Sequence, residues 1–261
     1  MAANNDTIKK TVTVSVVLCV ICSVVVSAAA VLLKPTQQFN KALEKKVNIL
    51  AAAGLTPAAG QKVDELYQQM IKPMVVDLET GKFTDAVSPD SYDQYKAAKD
   101  PQTSKALPGE ADIASIKRMP QYATVYVVEK DGQLDKLVLP VHGYGLWSTL
   151  YGFVALQPDL NTVSGMGFYQ HGETPGLGGE VDNPAWKALW PGKKIYAEGA
   201  EQPSIELIKG KVDSQSPQAA YQVDGLSGAT LTSNGVTNLM KFWFGQNGFG
   251  PFLKNLRAGE A

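Results

Sequence analysis

The sequence predicts an α+β protein in which one N-terminal transmembrane helix precedes a soluble domain built from an antiparallel sheet and packed helices. Three observations lead to this prediction. Residues 11–33 are an apolar run without a charge, long enough to span a membrane. Residues 124–139 contain a β-hairpin pattern, and residues 236–244 place their apolar side chains on one helical stripe.

Composition limits the possible classes of protein. At roughly 100–200 residues per domain, a chain of 261 residues holds one domain, or one domain and an appendage. A hydrophobic content of 44% excludes both wholesale disorder and a polytopic membrane protein. With 24 Lys+Arg against 25 Asp+Glu and no basic block, nucleic acid is not an expected partner.

The sequence contains few cysteines and histidines that could bind a metal ion. Cys19 and Cys22 both lie inside the apolar run, so the soluble domain has no disulfide, zinc–thiolate site or iron–sulfur ligand of its own. His171 and Glu173 are expected to make structural hydrogen bonds, because the sequence offers no third ligand beside them. No metal site is predicted.

The apolar run, residues 11–33, is interpreted as an uncleaved anchor that follows a short tail of residues 1–10. A helix needs roughly 20 residues to cross the hydrocarbon core, and in lipid the backbone must satisfy its own hydrogen bonds. The apolar core of a cleaved signal peptide is usually only ~7–15 residues long, whereas this run continues through Leu33. The expected environment is therefore a lipid membrane.

Charge alone does not settle the orientation of this anchor. Lys9 and Lys10 precede it, but more lysines follow it: Lys34, Lys41, Lys45 and Lys46. The positive-inside rule by count would put the large domain in the cytoplasm, yet long domains can translocate regardless of nearby charge.

The soluble domain divides into a helical and loop-rich segment, 34–120, and a core, 121–261. Helices are predicted in the first segment over residues 39–51, 63–71 and 91–98. Gly54 ends the first of these helices, and the second stops before Pro73.

The core is predicted to begin with a hairpin. Residues 124–128 and 137–139 are its strands, and Asp131-Gly132 supplies the positive φ angles of a tight turn. Further strands are predicted over residues 151–156, 162–169 and 204–208, with a short helix over 183–190. The final helix presents the stripe Val236, Leu239, Met240, Trp243 and Phe244.

One segment carries the chemical signal: Asp224-Gly-Leu-Ser-Gly-Ala-Thr230, followed by the final helix. Its small residues leave the Thr230 hydroxyl uncovered. Thr232, Ser233 and Asn234 are each suitable N-caps, and free amides at a helix start would stabilise a phosphate. From the residues alone, two interpretations stay open, a polar loop that opens a helix and an anion site.

Asp-x-x-Ser-Gly-Ala-Thr resembles the motif of the FMN-binding domain family. In that family the terminal Thr carries FMN through a phosphoester, which a flavin transferase makes from FAD. His171-Gly-Glu-Thr-Pro-Gly-Leu-Gly178 is similar to a second loop of the family. The resemblance implies covalent FMN on Thr230 as an attachment site, with no catalytic residue in this chain.

Residues 145–152 and 183–186, together with the lysine-preceded anchor, resemble the flavoprotein subunits of sodium-pumping NADH:quinone reductases. The resemblance implies an electron carrier between NADH and quinone, with the other subunits of the complex as partners. It also places the chain in the bacterial inner membrane as a single-pass protein, with a cytoplasmic N-terminus and a periplasmic flavin domain. Two alternatives are the equivalent flavoprotein of an Rnf-type complex and a cofactor-free periplasmic binding or assembly module.

The implied site has three parts. Thr230 is the acceptor, and Asp224 is expected to be read by the flavin transferase. Lys211, beside Gly210, is expected to approach the phosphate or the ring. The remaining expected flavin contacts are Trp147, Ser148, Thr174, Gly176, Leu177, Gly178, Ser227, Gly228 and Ala229.

Overall fold

The computed structural model describes residues 7–261, so most of the predicted tail of residues 1–10 lies outside the described residues. The chain divides into two compact units, one that ends at Glu44 and one over Lys45–Ala261. The α+β prediction is confirmed in the second unit, which contains an antiparallel sheet with helices on its faces.

Helix α1 spans Ile8–Ala52 and is continuous through Pro35. The sequence predicted two separate helices here, because a proline removes one backbone hydrogen bond and usually kinks or ends a helix. The predicted break between the two helices is wrong. No glycine interrupts residues 36–52, so helical hydrogen bonding resumes directly after the proline. The apolar stretch before Pro35 has a mean hydropathy of 3.0 over 18 residues, and its side chains are exposed.

Helix α2 spans Val63–Met70 and passes directly into strand β1, Ile71–Asp77, which the sequence did not predict. The helical spacing of residues 63–71 and the presence of Pro73 both argued against a strand. Strand β2, Lys82–Phe83, pairs only with Val76 and Asp77. Pro73 therefore lies where β1 is an edge strand, the place in a sheet where a missing N–H is tolerated.

The remaining part of the first segment forms short elements that pack on the main domain. Helix α3 covers Gln94–Ala97, within the predicted helix at 91–98. Strands β3, Ser104–Ala106, and β4, Arg118–Pro120, form a two-stranded sheet with each other, and within residues 7–261 neither pairs with another strand.

Four long strands complete the main sheet: β5 Tyr122–Lys130, β6 Gln133–Tyr144, β7 Thr149–Leu156 and β8 Val163–Gln170. The sheet order is β2-β1-β5-β6-β7-β8, and every neighbouring pair is antiparallel. The predicted turn between β5 and β6 is confirmed, with φ of 53° at Asp131 and 75° at Gly132. The strands at 151–156 and 162–169 are confirmed with small changes of bounds.

The carboxyl-terminal part supplies short elements and two helices. They are α4 Pro184–Lys187, β9 Glu206–Ile208, β10 Gln222–Asp224, α5 Thr230–Trp243 and α6 Gly250–Ala258. Strands β9 and β10 form a separate parallel pair. The sequence predicted neither β10 nor α6.

Successive side chains of a strand point to opposite faces of the sheet. Both faces of this sheet are buried. On one face the strands pack against α5 and α6, through Leu139, Val154, Leu239 and Phe252 among others. On the other face they pack against the last turn of α1 and against α2, through Ile49, Leu50, Leu66 and Phe153. Helix α5 is thus a core element from Val236 onward.

We expect Gly165→Ala to destabilise the domain by about 1–3 kcal/mol, the usual cost of overpacking. A Cβ at Gly165 would lie 2.3 Å from the carbonyl oxygen of Ala52, a backbone atom that cannot move aside cheaply. Urea unfolding of the full chain in detergent, followed by tryptophan fluorescence, measures the change.

Gly167→Ala is the matched control in the same strand. Its Cβ would meet only Lys187 side-chain atoms, at 3.8 Å or more. Equal unfolding free energies of the two variants would contradict the tight approach of α1 to β8.

Candidate functional site

Thr230 is exposed and is the first residue of α5. The preceding turn is closed by a hydrogen bond from the Ala229 N–H to the Leu226 carbonyl at 3.1 Å, and Gly228 adopts a φ of +71°. The Ser233 hydroxyl accepts from the Leu226 N–H at 3.0 Å and donates to the Ala229 carbonyl at 3.1 Å. Ser233, which lies in the first turn of α5, therefore connects the helix to the turn before it.

The helix start differs from the prediction. Thr232, Ser233 and Asn234 were expected as N-caps, but the helix begins at Thr230, with Ala229 in the cap position and no side-chain cap. Several consecutive residues suited capping, and the tight turn at Gly228 decided among them. No acceptor in the described chain takes the amide N–H groups of Thr230, Leu231 and Thr232. These donors are available to an anion.

A cavity of about 710 Å³ opens beside Thr230. Its apolar wall includes Trp186, Leu189 and Leu207, and its cationic side chains are Lys209 and Lys211. Four further residues that the sequence singled out line this cavity: Asp224, Ser227, Gly228 and Lys211, together with Thr230 itself. Ala229 is buried beneath the turn.

The other expected contacts, which do not line this cavity, are grouped around the buried carboxylate of Glu173. This carboxylate accepts hydrogen bonds from the backbone amides of Leu146, Trp147 and Ser148, at 2.9–3.2 Å. It also accepts from the Thr232 hydroxyl at 2.6 Å. One side chain thus joins the loop after β6 to the first turn of α5.

The pKa of Glu173 reflects two opposing effects. Burial raises the pKa of the carboxyl, but hydrogen bonds from the Thr232 hydroxyl and from the three amides stabilise the charged form and outweigh it. The pKa therefore lies below the ordinary value for glutamate, and the group is ionised at neutral pH.

The loop of residues 174–178 packs against the motif turn. A Cβ added at Gly228 would lie 2.9 Å from Cδ2 of Leu177, and one at Gly178 would lie 2.6 Å from Oγ1 of Thr232. Gly176 has a φ of +75°, which a glycine adopts without strain. The glycines allow the loop to approach α5 and to turn back.

Three large apolar side chains are exposed in these loops and in the first turn of α5. Trp147 is 67% exposed, Leu231 is 59% exposed and Leu177 is 43% exposed. Ser148 is directed inward instead, since its hydroxyl accepts from the Gly172 N–H at 2.6 Å. Gly176 is exposed at the tip of the loop.

His171 connects the start of this loop to Asp182. Its Nε2 lies 2.6 Å from Oδ2 of Asp182, and its Nδ1 accepts from the Glu173 N–H at 3.2 Å. Lys187 forms an ion pair with the same carboxylate, that of Asp182. The structural hydrogen bonding predicted for His171 and Glu173 is what the geometry shows.

Two cavity residues had no role in the sequence interpretation. Lys209 was not predicted to join Lys211, although Lys-Gly-Lys is a visible signal for paired cations at a turn. Trp186 was not predicted to join the site either, yet it lines the cavity and its indole N–H donates to the Asp224 carbonyl at 3.0 Å.

Comparison with known proteins gives concordant matches. A family model described as the FMN-binding domain matches residues 145–245. The NqrC protein of the Na⁺-translocating NADH-quinone reductase from Pseudomonas aeruginosa is 59% identical, over 99% of this chain and 100% of that relative. The corresponding protein of the Vibrio alginolyticus reductase is 50% identical, over 100% of this chain and 99% of that relative.

Two solved structures are also similar. The crystal structure of Shewanella oneidensis NqrC has a TM-score of 0.76 and 38% identity, covering 82% of this chain and 97% of that one. The crystal structure of the corresponding protein from Parabacteroides distasonis has a TM-score of 0.65 and 28% identity, covering 85% of this chain and 96% of that one.

We expect Glu173→Gln to destabilise the domain by about 2–3 kcal/mol at pH 7, because the change removes the charge that four donors share and turns an amide NH₂ towards them. The stabilisation by Glu173 is fully present above its unfolded-state pKa of about 4.3 and is lost as the pH falls through the lower folded-state pKa. The difference between wild type and variant in urea unfolding should therefore shrink below about pH 4.

Glu201→Gln is the control, because that carboxylate is exposed and its partner among the described residues is the exposed Lys254. Its effect should stay within about 0.5 kcal/mol. A pH-independent deficit in Glu173→Gln would contradict the charge-based account.

Proposed function

Since the chain belongs to the NqrC family of Na⁺-translocating NADH-quinone reductase subunits, we propose that it carries FMN esterified to Thr230 and relays electrons within such a reductase. The observation that carries this proposal is the exposed Thr230 hydroxyl, which is presented by the first residue of α5 beside free amides and a cavity with two lysines.

The site residues fit such a group. Ligand cavities are usually about 300–1,000 Å³, and the volume beside Thr230 is about 710 Å³. A phosphate on the Thr230 oxygen would lie at the positive end of α5, where the free first-turn amides favour negative charge. When bound, FMN supplies one- and two-electron redox chemistry that no side chain provides.

Attachment is a group transfer that uses Thr230 once. The Thr230 hydroxyl oxygen bonds to the FMN-side phosphorus of FAD, the phosphoanhydride bond breaks, AMP leaves and the hydroxyl proton is released. We propose that a separate flavin transferase catalyses this step. The ester keeps the flavin at a high effective concentration near its site, so retention does not depend on a deep, tight pocket.

We propose two groups of flavin contacts. Ser227, Gly228, Ala229 and Lys211 surround the phosphate end, which the cavity side supports. The exposed residues of the two loops, Trp147, Thr174, Gly176 and Leu177, support contacts to the ring. Ser148, whose hydroxyl accepts from the Gly172 N–H, and the buried Gly178 would shape these loops. In this proposal Glu173 acts indirectly, by holding both loops.

The chain would act as one member of a relay. Its sequence has no dinucleotide-binding glycine fingerprint after a strand, and its apolar segment 11–33 contains no ionisable acid or base of the Asp, Glu, His, Lys or Arg type. NADH oxidation, quinone reduction and the sodium path therefore require other proteins of the complex. The Pseudomonas and Vibrio relatives bear the reductase name, and no feature of the site favours an Rnf-type complex or a cofactor-free module.

We propose a single-pass topology with the N-terminus in the cytoplasm and the flavin domain in the periplasm. The exposed apolar stretch of α1 supports a lipid environment for residues 11–33. The lysines that follow this stretch oppose the orientation, but a domain as long as residues 45–261 translocates largely regardless of such charges.

Thr230→Ala should abolish covalent flavin when the protein is produced together with the transferase, and the protein should remain folded because the Thr230 side chain is exposed. In-gel fluorescence under denaturing conditions detects the flavin. Fragment mass spectrometry of the tryptic peptide Val212–Lys241 then locates the added mass. In membranes that contain the whole complex, the same variant should also lose NADH-driven quinone reduction.

Ser227→Ala is the matched control, because Ser227 is the other exposed hydroxyl of the same turn. It should keep its fluorescent band. A band that persists in Thr230→Ala and disappears in Ser227→Ala would move the attachment site and overturn the proposal.

Alkaline phosphatase fused after Ala261 should be active in cells, because its disulfides form only in the periplasm. The same enzyme fused after Lys10, before the apolar stretch, should be inactive. The reverse pattern would mean that the domain is cytoplasmic, as the lysine count suggests.

A further inference from the structure

The carboxylate of Asp224 accepts a hydrogen bond from the backbone of its own chain. Asp224 is half-buried at the end of β10, and its Oδ1 accepts a hydrogen bond from the Val212 N–H at 2.8 Å. Its backbone carbonyl accepts from the indole N–H of Trp186 at 3.0 Å. The acidic position of the motif is therefore engaged with the segment that follows β9.

That segment, Lys209–Val212, is held at both ends. Ile208 pairs with Asp224 in the parallel ladder, and Val212 is held by the Asp224 carboxylate. Between them the Gly210 carbonyl accepts from the Gly225 N–H at 3.1 Å, and Gly210 turns the chain with a φ of +85°. Asp224 and its neighbour Gly225 thus fix a short turn with a lysine on each side of its glycine.

Both lysines face the cavity that Thr230 borders. Lys209 and Lys211 are exposed, and neither takes part in an ion pair with a carboxylate within residues 7–261. Two cations without anionic partners beside an acceptor hydroxyl form an electrostatic site for phosphate.

We propose that Asp224 is a positioning residue, which holds Lys209 and Lys211 beside Thr230 so that their charges bind the phosphates of the incoming FAD. The inference rests on the proposed esterification of Thr230. The P–O–P bond of FAD breaks as the Thr230 oxygen bonds to the FMN phosphorus, and AMP departs with the bridging oxygen. Negative charge is present on FAD and on the departing AMP, so fixed cations lower the barrier.

The alternative role for Asp224 is direct recognition of its negative charge by the transferase. Asparagine separates the two roles, because its side-chain oxygen can still accept from the Val212 N–H while the charge is gone. Alanine removes both the acceptor and the charge.

The test measures initial rates of covalent flavin incorporation into full-length apoprotein in detergent, supplied with FAD and a purified flavin transferase. Apoprotein comes from cells that lack the transferase, and in-gel fluorescence gives the rate. We expect Asp224→Asn to stay within about threefold of wild type and Asp224→Ala to fall by about tenfold or more. Lys209→Gln/Lys211→Gln should fall by about tenfold or more as well.

A matched double variant controls for net charge. Lys99→Gln/Lys105→Gln removes two exposed lysines that do not line the cavity and should keep the wild-type rate. Raising the salt concentration should slow wild type and Asp224→Asn but leave Lys209→Gln/Lys211→Gln nearly unchanged, because salt screens exposed charges. A purely structural role for Lys209 and Lys211 would not produce that difference.

Equal losses in Asp224→Asn and Asp224→Ala would overturn the inference in favour of direct charge recognition. A wild-type rate in Lys209→Gln/Lys211→Gln would also overturn the inference, because the lysines would then not bind the phosphates. If Asp224→Ala does not fold, Asp224→Asn and the lysine variants still decide. Wild-type protein that takes up no covalent flavin would instead refute the attachment at Thr230.

Discussion

The candidate site depends on one buried negative charge. Glu173 accepts hydrogen bonds from three amides of the loop after β6 and from the hydroxyl of Thr232 in the first turn of α5. A carboxylate can take these donors only because it is ionised, and it is ionised at neutral pH because the donors outweigh the cost of its burial. The loop at 146–148, the loop at 174–178 and the start of α5 keep their mutual positions through this group.

The main sheet explains why these loops meet at all. Strands β6 and β7 are joined by residues 145–148, and residues 171–178 follow β8, so both loops leave the same end of neighbouring strands. Helix α5 crosses one face of the sheet, and Gly235 lies so close to Tyr144 that a Cβ there would be 2.5 Å from its carbonyl oxygen. A glycine at this position brings the start of the helix to the loops.

Local signals in the sequence predicted local structure well. Asp131-Gly132 specified its turn because its φ angles depend on those two residues alone. The prediction failed where distant partners decide: β1 was missed because its Pro73 is acceptable only at a sheet edge, and α1 continued through a proline. The motif and the loop at 171–178 were identified by resemblance, whereas the Glu173 network and the turn with Lys209 could not be. Their partners are 12 to 59 residues away in the chain, and no periodicity links them.

Helix α5 combines an exposed first residue with an apolar face in the core, on which Val236, Leu239, Met240 and Trp243 are completely buried. A redox group esterified to Thr230 would be mounted on one of the best-packed elements of the domain. Electron transfer is fastest when few nuclei must move as the charge arrives and leaves. A mount of this kind would add little of its own to that reorganisation energy, since the support itself has little freedom to relax.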